Sequence, residues 1–509
     1  MPRLAELLRE VPHRLIAGPA DTMIREVVYD SRRARPGSLF VAIPGRKEDG
    51  AGYVADALAR GASAVVAERD GIAVPGGAAL AIVPDARKAL ALMAAARWSH
   101  PSRRMGLVGV TGTDGKTTTA TVIEQILSAA ALPSGLLTTV ELRVCGQRLP
   151  SGSALTTPAA PEVQRALARM ARAGARWAVL EVSSHALALE RVTGCAFDVA
   201  VMTNVTPEHL DFHGSFDEYR RAKARLFEML GQPTGKELPR FGVVNADDPS
   251  AELFRAACPV EVISYGIDRS ADVRATRVRL GPDGARFVVE SPLGRHELET
   301  RFLGQFNVSN WLAAIALALG RGLSWTAIER AAELAEPPLG RAERIELGQP
   351  FGVWVDFAHT PRGLESVLRA ARSAARGRVV VVFGAAGERF RANRPRLGAV
   401  ARTLADVAIV TTDDPYGEDP TAILGEVARG TRVGSGSARV FVLPDRRQAI
   451  EAALRLARPG DVVVIAGRGH ERYQTFGTRR VRFEDARVAR ELLRGIYGQP
   501  RERRLAQAG

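Results

Sequence analysis

Lysine is the residue this sequence avoids. Lys47, Lys88, Lys116, Lys223 and Lys236 are the only five in 509 residues, and the other 65 of the 70 basic residues are arginine. Each ammonium therefore needs a reason, since lysine alone offers a compact mobile charge and, once neutral, a reactive amine. Cysteine is scarce as well. Cys145, Cys195 and Cys258 have no metal-type or redox spacing, and an odd count in a long chain argues against a disulfide framework. Aromatics make up 6% of the chain and the arginines are scattered, which speaks against a nucleic-acid-binding surface. No uncharged apolar run reaches membrane-spanning length, and the N-terminal MPRLAELLREVPHRL carries charges through its apolar stretch with no small-residue cleavage site. The expectation is a cytoplasmic protein of a reducing compartment, without stable membrane insertion and acting as a monomer.

What is present points to an α/β enzyme. With 46% apolar and 25% charged residues the chain is globular, and its length suits about three domains. Short Val, Ile and Ala-rich runs alternate with Ala, Leu and Arg-rich helical patterns, the signature of βαβ units and parallel sheets. Strands are predicted at Met105 to Thr111, Trp177 to Ser184, Val199 to Asn204, Phe241 to Asp247, Arg378 to Gly384 and Asp461 to Gly467. Each ends in residues suited to the loops where such folds place ligands. The charged, proline-containing WSHPSRRMG and the double proline of AEPPLGRAER divide the chain at 1–102, 103–336 and 337–509. The polar last stretch, 498–509, is expected to fray. A net charge of +14 calls for anionic partners.

The sequence LVGVTGTDGKTTTATVIEQIL reads as a buried strand, a glycine-rich turn and a helix. Gly112 and Gly115 let backbone N–H groups converge on an anion, Lys116 reaches the β and γ phosphates, and the Thr117 hydroxyl can ligate Mg²⁺ at the positive end of the helix. The spacing is a variant, with Val110 where the longer consensus has its first glycine. Mg²⁺ needs a carboxylate near that threonine, and Glu181, closing an apolar strand in EVSSH, offers one.

The segment TNVTPEHLDFHGSFDEYRRAKARLFE holds Asn204, His209, Asp211, His213 and Lys223. A structural role suits His213 as well as any sharper one. Lys223 sits beside Arg220, Arg221 and Arg225, so on composition an ordinary exposed lysine is the first reading; a carbamate formed with carbon dioxide, which would turn the cation into a metal-binding anion, is the second.

Together TGTDGKTT, LTTP at Leu155 to Pro158, EVSSH, TNVTPEHLDFHG with Lys223, LGQFNVSN and VDFAHTP resemble the Mur ligases, ATP-dependent amide-forming enzymes of peptidoglycan precursor synthesis. DSRRARPGSLFVAIPGRKEDG and GRGHERYQ narrow the resemblance to the UDP-N-acetylmuramoyl-tripeptide synthetase branch. The resemblance implies a uridine-binding domain, a central P-loop-type parallel-sheet ATPase domain and a C-terminal Rossmann-like domain that binds the incoming amino acid. It implies that Ser31, Arg46 and Lys47 face the UDP, and that Thr156, Thr157, Ser183 and Arg191 hold the muramoyl dipeptide. ATP would lie on Gly112, Thr113, Asp114, Gly115, Lys116, Thr117 and Thr118, with Asn307, Asn310, Arg341, Asp356 and His359 around adenine, ribose and phosphates. Thr117, Glu181 and His209 would surround Mg²⁺, joined by Lys223 as N6-carboxylysine, so the carbamate reading becomes the preferred one.

The amino-acid site would comprise Arg389, Asp413, Asp414, Tyr416, Gly467 and Glu471. Members of the branch that add meso-diaminopimelate typically read DNPR where this chain reads Asp413, Asp414, Pro415, Tyr416, and their arginine grips the distal carboxylate. A tyrosine cannot replace a bidentate cation, and two acids would suit a free ammonium. L-lysine or L-ornithine is therefore expected, with diaminopimelate as the alternative and a folylpolyglutamate-synthase-like ligase as a more distant one.

Overall fold

The computed structural model describes residues 1–45, 48–75, 77–150, 153, 155–433 and 436–497. Arg46, Lys47 and the polar tail 498–509 lie outside the described residues. Among the described residues three large sheets follow one another along the chain, with a two-stranded hairpin, Tyr473–Phe476 and Arg479–Arg482, after the third; all six predicted strands are found in the large sheets, each within a residue or two of its expected start and two or three of its end.

The first sheet has five strands in the order Arg14–Ala17, Ala79–Ile82, Ala62–Ala67, Ser38–Val41, Glu26–Val28, all parallel except the first. Val, Leu and Ala side chains point to both faces, building one core under the helices Leu4–Leu8 and Ala86–Arg97 and another under Val54–Ala59.

The second sheet has eleven strands. Its parallel centre runs Val262–Gly266, Phe241–Asn245, Val199–Met202, Gly106–Thr111, Trp177–Glu181, Ser134–Leu137, and antiparallel hairpins extend both edges. Gly106–Thr111 is buried at every residue, as a run without polar alternation requires of a strand covered on both faces. On one face lie the helices Lys116–Ala129 and Gln305–Gly320, the latter almost wholly apolar and enclosed; on the other lie Ala160–Arg172 and Phe216–Glu228.

The third sheet, in the order Glu343–Arg344, Gly352–Asp356, Val462–Ala466, Val379–Phe383, Val407–Val410, Arg439–Val442, is parallel apart from its first strand. Its helix Pro361–Ala374 meets the second unit at Gly304, where a Cβ would press on that of Ala370. The carboxyl ends of the central strands in the second and third sheets carry the chemistry-bearing residues. Among the described residues no helix is long and apolar enough to cross a membrane.

Candidate active site

The loop between Gly106–Thr111 and Lys116–Ala129 is braced from beneath by Thr203 and Asn204. The Thr203 hydroxyl and the Asn204 amide both donate to the Asp114 carbonyl, at 2.6 and 3.0 Å, while Asn204 accepts from the backbone N–H groups of Thr113 and Asp114 at 2.7 and 3.0 Å. Gly112 (φ +149°) and Gly115 (φ +81°) have left-handed backbones, and a side chain there would collide with Thr203 or Asn310. Lys116 Nζ curls back onto the Thr113 carbonyl at 2.7 Å, an arrangement that leaves the ammonium over the loop. Thr118 is buried in the first turn of the helix.

Thr117 Oγ1 donates to Glu181 Oε2 at 2.9 Å, and the same oxygen accepts from the N–H and hydroxyl of Thr139 at 3.0 and 3.1 Å. Glu181 is thus a buried carboxylate with neutral donors, and no Lys, Arg or His of the described residues pairs with it. A hard oxygen donor beside a threonine hydroxyl fits Mg²⁺.

Lys223 lies on the inward face of Phe216–Glu228 with 2% exposure, which overturns the reading of an ordinary exposed lysine. Its Nζ donates to the Gly112 carbonyl at 2.6 Å and lies 4.5 Å from the centre of the Tyr219 ring, while the Tyr219 hydroxyl meets Thr113 Oγ1 at 3.0 Å. Burial, then the charge of Lys116, holds the Lys223 amine well below the ordinary lysine range.

His209, in a left-handed conformation (φ +55°), places its Nε2 3.7 Å from Glu208, and Glu208 in turn stands 3.5 Å from Nε2 of His359, across the junction with the third sheet. Burial acts to raise the Glu208 carboxyl, yet the His359 hydrogen bond with His209 and Lys116 prevails and keeps it at about 2. Asp114, whose carboxyl burial and Glu208 raise, lies in the same group. Glu208 and Tyr219 were missed from the sequence.

Arg341 reaches the Thr117 hydroxyl at 3.4 Å and stacks on Phe357 at 4.6 Å. Asp356 accepts from the N–H groups of Ala342 and Ala358 at 2.6 and 2.8 Å, shaping the turn that aims Arg341. Asn310 lies against the loop at Gly115, accepts from Thr119 of the following helix at 3.2 Å and donates to Asn307 behind it at 3.0 Å. Thr157 donates to the Glu181 carbonyl at 2.9 Å and accepts from the Ser183 N–H at 3.0 Å, and Arg191 donates to the Thr157 carbonyl at 3.0 Å. Thr156 is half-buried beside them. Ser31, buried and bonded to Asp56, belongs to a turn whose neighbour Arg33 pairs with Glu162 at 2.6 Å.

A second cluster crowns the third sheet. Asp413 and Asp414 are buried, but they are not free: Arg468, fully buried, lies 2.5 Å from Asp414, 3.6 Å from Asp413 and 3.5 Å from Glu471. The two acids expected to suit a free ammonium therefore already share a guanidinium, from a residue 54 positions away from Asp414. Three carboxylates nevertheless share one guanidinium, with ligand oxygens within 4.8 Å of one another. Glu471, about a third exposed at 35%, is pushed up to about 8, first by the atoms that shield it and then by Asp413 and Asp414. The Arg389 guanidinium lies 5.8 Å from the Tyr416 ring centre, and Gly467 (φ +115°) opens space for Asp413. The two clusters adjoin, because Gly340 packs on Gly469 and His470, and Phe357 stacks near His470 at 5.2 Å.

A glycine loop joined by an acidic strand end, and met by an arginine from a second parallel sheet, defines a nucleotide-dependent transferase or ligase. The family models resolve the class: Mur ligase family, catalytic domain over residues 23–98, Mur ligase middle domain over 110–318, and Mur ligase, glutamate ligase domain over 340–469. The chain is 46% identical over 514 residues to the UDP-N-acetylmuramyl-tripeptide synthetase of Roseiflexus sp. (strain RS-1), covering 97% of this chain and 100% of that one. It is 40% identical to the UDP-N-acetylmuramoyl-L-alanyl-D-glutamate--2,6-diaminopimelate ligase of Geobacillus thermodenitrificans (strain NG80-2), with 97% and 99% covered. A solved structure of a ligase with that same name superposes with a TM-score of 0.67 at 29% identity over 97% of this chain and 99% of the other. The MurF ligase from Thermotoga maritima in complex with ADP, 19% identical, shares the fold with a TM-score of 0.63 over 95% of this chain and 99% of that one. The chain belongs to the Mur ligase family and is an ATP-dependent ligase of peptidoglycan precursor synthesis.

Proposed function

We propose that this ligase joins a diamino acid, L-lysine or L-ornithine, to UDP-N-acetylmuramoyl-L-alanyl-D-glutamate. The contact that supports the reading best is Thr117, hydrogen-bonded at once to Glu181 and to Arg341 in the turn that leads into the third sheet, because it brings a phosphate loop, an acidic strand end and a cation from the C-terminal segment to one point. In this reading residues 1–102 hold the uridine nucleotide, 103–336 the ATP and 337–509 the amino acid.

Lys116 and the loop N–H groups bind the β and γ phosphates of ATP, and Asn307, Asn310, Asp356 and His359 border the nucleotide. Thr117, Glu181, His209 and Lys223 as its carbamate would hold Mg²⁺, which when bound offsets phosphate charge. Thr156, Thr157, Ser183 and Arg191 position the dipeptide. The D-glutamate carboxylate oxygen bonds to the γ phosphorus, the bond to the β-phosphate oxygen breaks, and ADP leaves. The amine then attacks the acyl phosphate carbon, loses its proton and expels phosphate. Arg341 and Lys116 neutralise the charge that gathers between two anions held against each other.

For the amino acid, the surplus of carboxylates over guanidinium at Asp413, Asp414, Glu471 and Arg468 suits an ammonium. Arg389 suits one carboxylate, and Tyr416 offers a second carboxylate a single hydrogen bond in place of a fork. Relatives named as 2,6-diaminopimelate ligases at 40 to 41% identity favour a second reading, meso-diaminopimelate. Supplying ATP, the UDP-dipeptide and each of lysine, ornithine and meso-diaminopimelate separately, with phosphate release and product mass measured, decides between them. Turnover with diaminopimelate above the other two overturns the first reading, and no turnover with any overturns both.

A further inference from the structure

A cavity of about 470 Å³ opens on the seam between the first sheet and the helix Ala160–Arg172. It lies at the amino ends of Glu26–Val28 and Ser38–Val41, away from Ser31, which follows the carboxyl end of the first of these strands. Arg25, Arg35, Arg97 and Arg165 line it, against one carboxylate, Glu26.

Glu26 is engaged by Arg165 at 3.0 Å, and Arg97 Nε donates to the Arg25 carbonyl at 2.8 Å. Among the described residues the guanidiniums of Arg25 and Arg35 have no ion pair. The Trp98 ring, also in the lining, has the guanidiniums of Arg97 and Arg172 4.9 and 4.8 Å from its centre. Burial and the nearby Arg172 charge lower the Arg97 pKa, so these cations repel one another. Some arginines elsewhere on the surface meet acids, as Arg14 meets Asp70 and Arg286 meets Glu299, at 2.7 and 2.6 Å, and others stand alone in solvent; here four converge in one recess. Like charges converging in a recess with one carboxylate need an anion to offset them.

We propose that this cavity is a binding site for a small soluble anion bearing phosphate, separate from the catalytic cleft, and that its occupant ties the first sheet to the second. Guanidinium forks match phosphate oxygens two at a time, and the lining comes from both sides of the seam. The bonds Glu26–Arg165 and Arg33–Glu162 already cross it. A single nucleic-acid strand fits less well, because the aromatic ring on which a base would stack is occupied by two guanidiniums.

The test titrates the full chain calorimetrically with pyrophosphate while ADP and UDP are held at saturation. One saturable site is expected, kept in Lys116→Ala and weakened about tenfold or more in Arg25→Ala/Arg35→Ala, both exposed positions whose loss leaves turnover unchanged. Absence of a saturable site at millimolar pyrophosphate overturns the proposal. So does binding lost in Lys116→Ala but kept in the double variant, which would assign the anion to the glycine loop. Citrate bound as tightly as pyrophosphate overturns the phosphate assignment, and a short single-stranded oligonucleotide whose binding disappears in the double variant overturns the small-anion reading.

Discussion

Lys223 Nζ donates to the carbonyl of Gly112 at 2.6 Å, so a helix of the second unit is pinned to the glycine loop by a buried amine. A buried ammonium without a carboxylate within salt-bridge distance among the described residues is costly unless its amine is neutral or modified. Lys223→Ala is expected to lower kcat by about 100-fold or more while the fold persists, and bicarbonate or a short carboxylate should restore part of it. Full activity in Lys223→Arg would refute the carbamate role. Mass spectrometry in the presence of bicarbonate checks the modification directly.

Lys236, which had no account from the sequence, is answered by its surroundings. Its Nζ donates to Asp198 at 2.5 Å and to the carbonyls of Ser102, Met105 and Ala196 at 3.0, 3.1 and 2.7 Å. An ammonium, its three protons shared among these four acceptors, fills that cage as a planar guanidinium cannot. Lys236→Met leaves Asp198 buried with the Leu107 N–H, at 2.7 Å, but no cation, and should cost about 3–5 kcal/mol, read by urea unfolding of the central unit. The added change Asp198→Leu should recover part of that loss, and a double variant as unstable as the sum of the singles would show the pair is not coupled.

The six strands were legible because each is a run of Val, Ile, Leu or Ala too short for a helix and closed by a residue that favours a loop. The glycine loop and Glu181 were legible from chemistry at fixed spacing. Burial of Lys223 was hidden by its arginine neighbours, although Tyr219, Lys223, Leu226 and Phe227 recur at helical spacing and all are buried. Glu208 and Arg468 could not be assigned, because their partners His359 and Asp414 lie on other segments and only the fold joins them.

Glu208 couples the central unit to the third sheet by standing between His209 and His359, at 3.7 and 3.5 Å. Glu208→Gln keeps the shape and removes the charge that holds His359. Turnover should fall about 10- to 100-fold, with a weaker apparent affinity for ATP. An unchanged KM for ATP together with full kcat would show that the contact does not serve closure.

Glu471 titrates where the amino acid is expected to bind, and the sign follows from its carboxyl being raised to about 8, by burial and then by Asp413 and Asp414. The folded chain holds this proton more tightly than the unfolded chain, so the contribution of Glu471 to stability is full below about pH 4.5 and is lost as pH rises through about 8. Ligand binding runs the other way. An ammonium needs the carboxylate, so the KM for the diamino acid should fall by up to about tenfold per pH unit between pH 6 and 8 and level off above. Glu471→Gln should abolish that slope and raise the KM at pH 9, where the parent has its carboxylate. A slope that survives in Glu471→Gln would place the titrating group elsewhere.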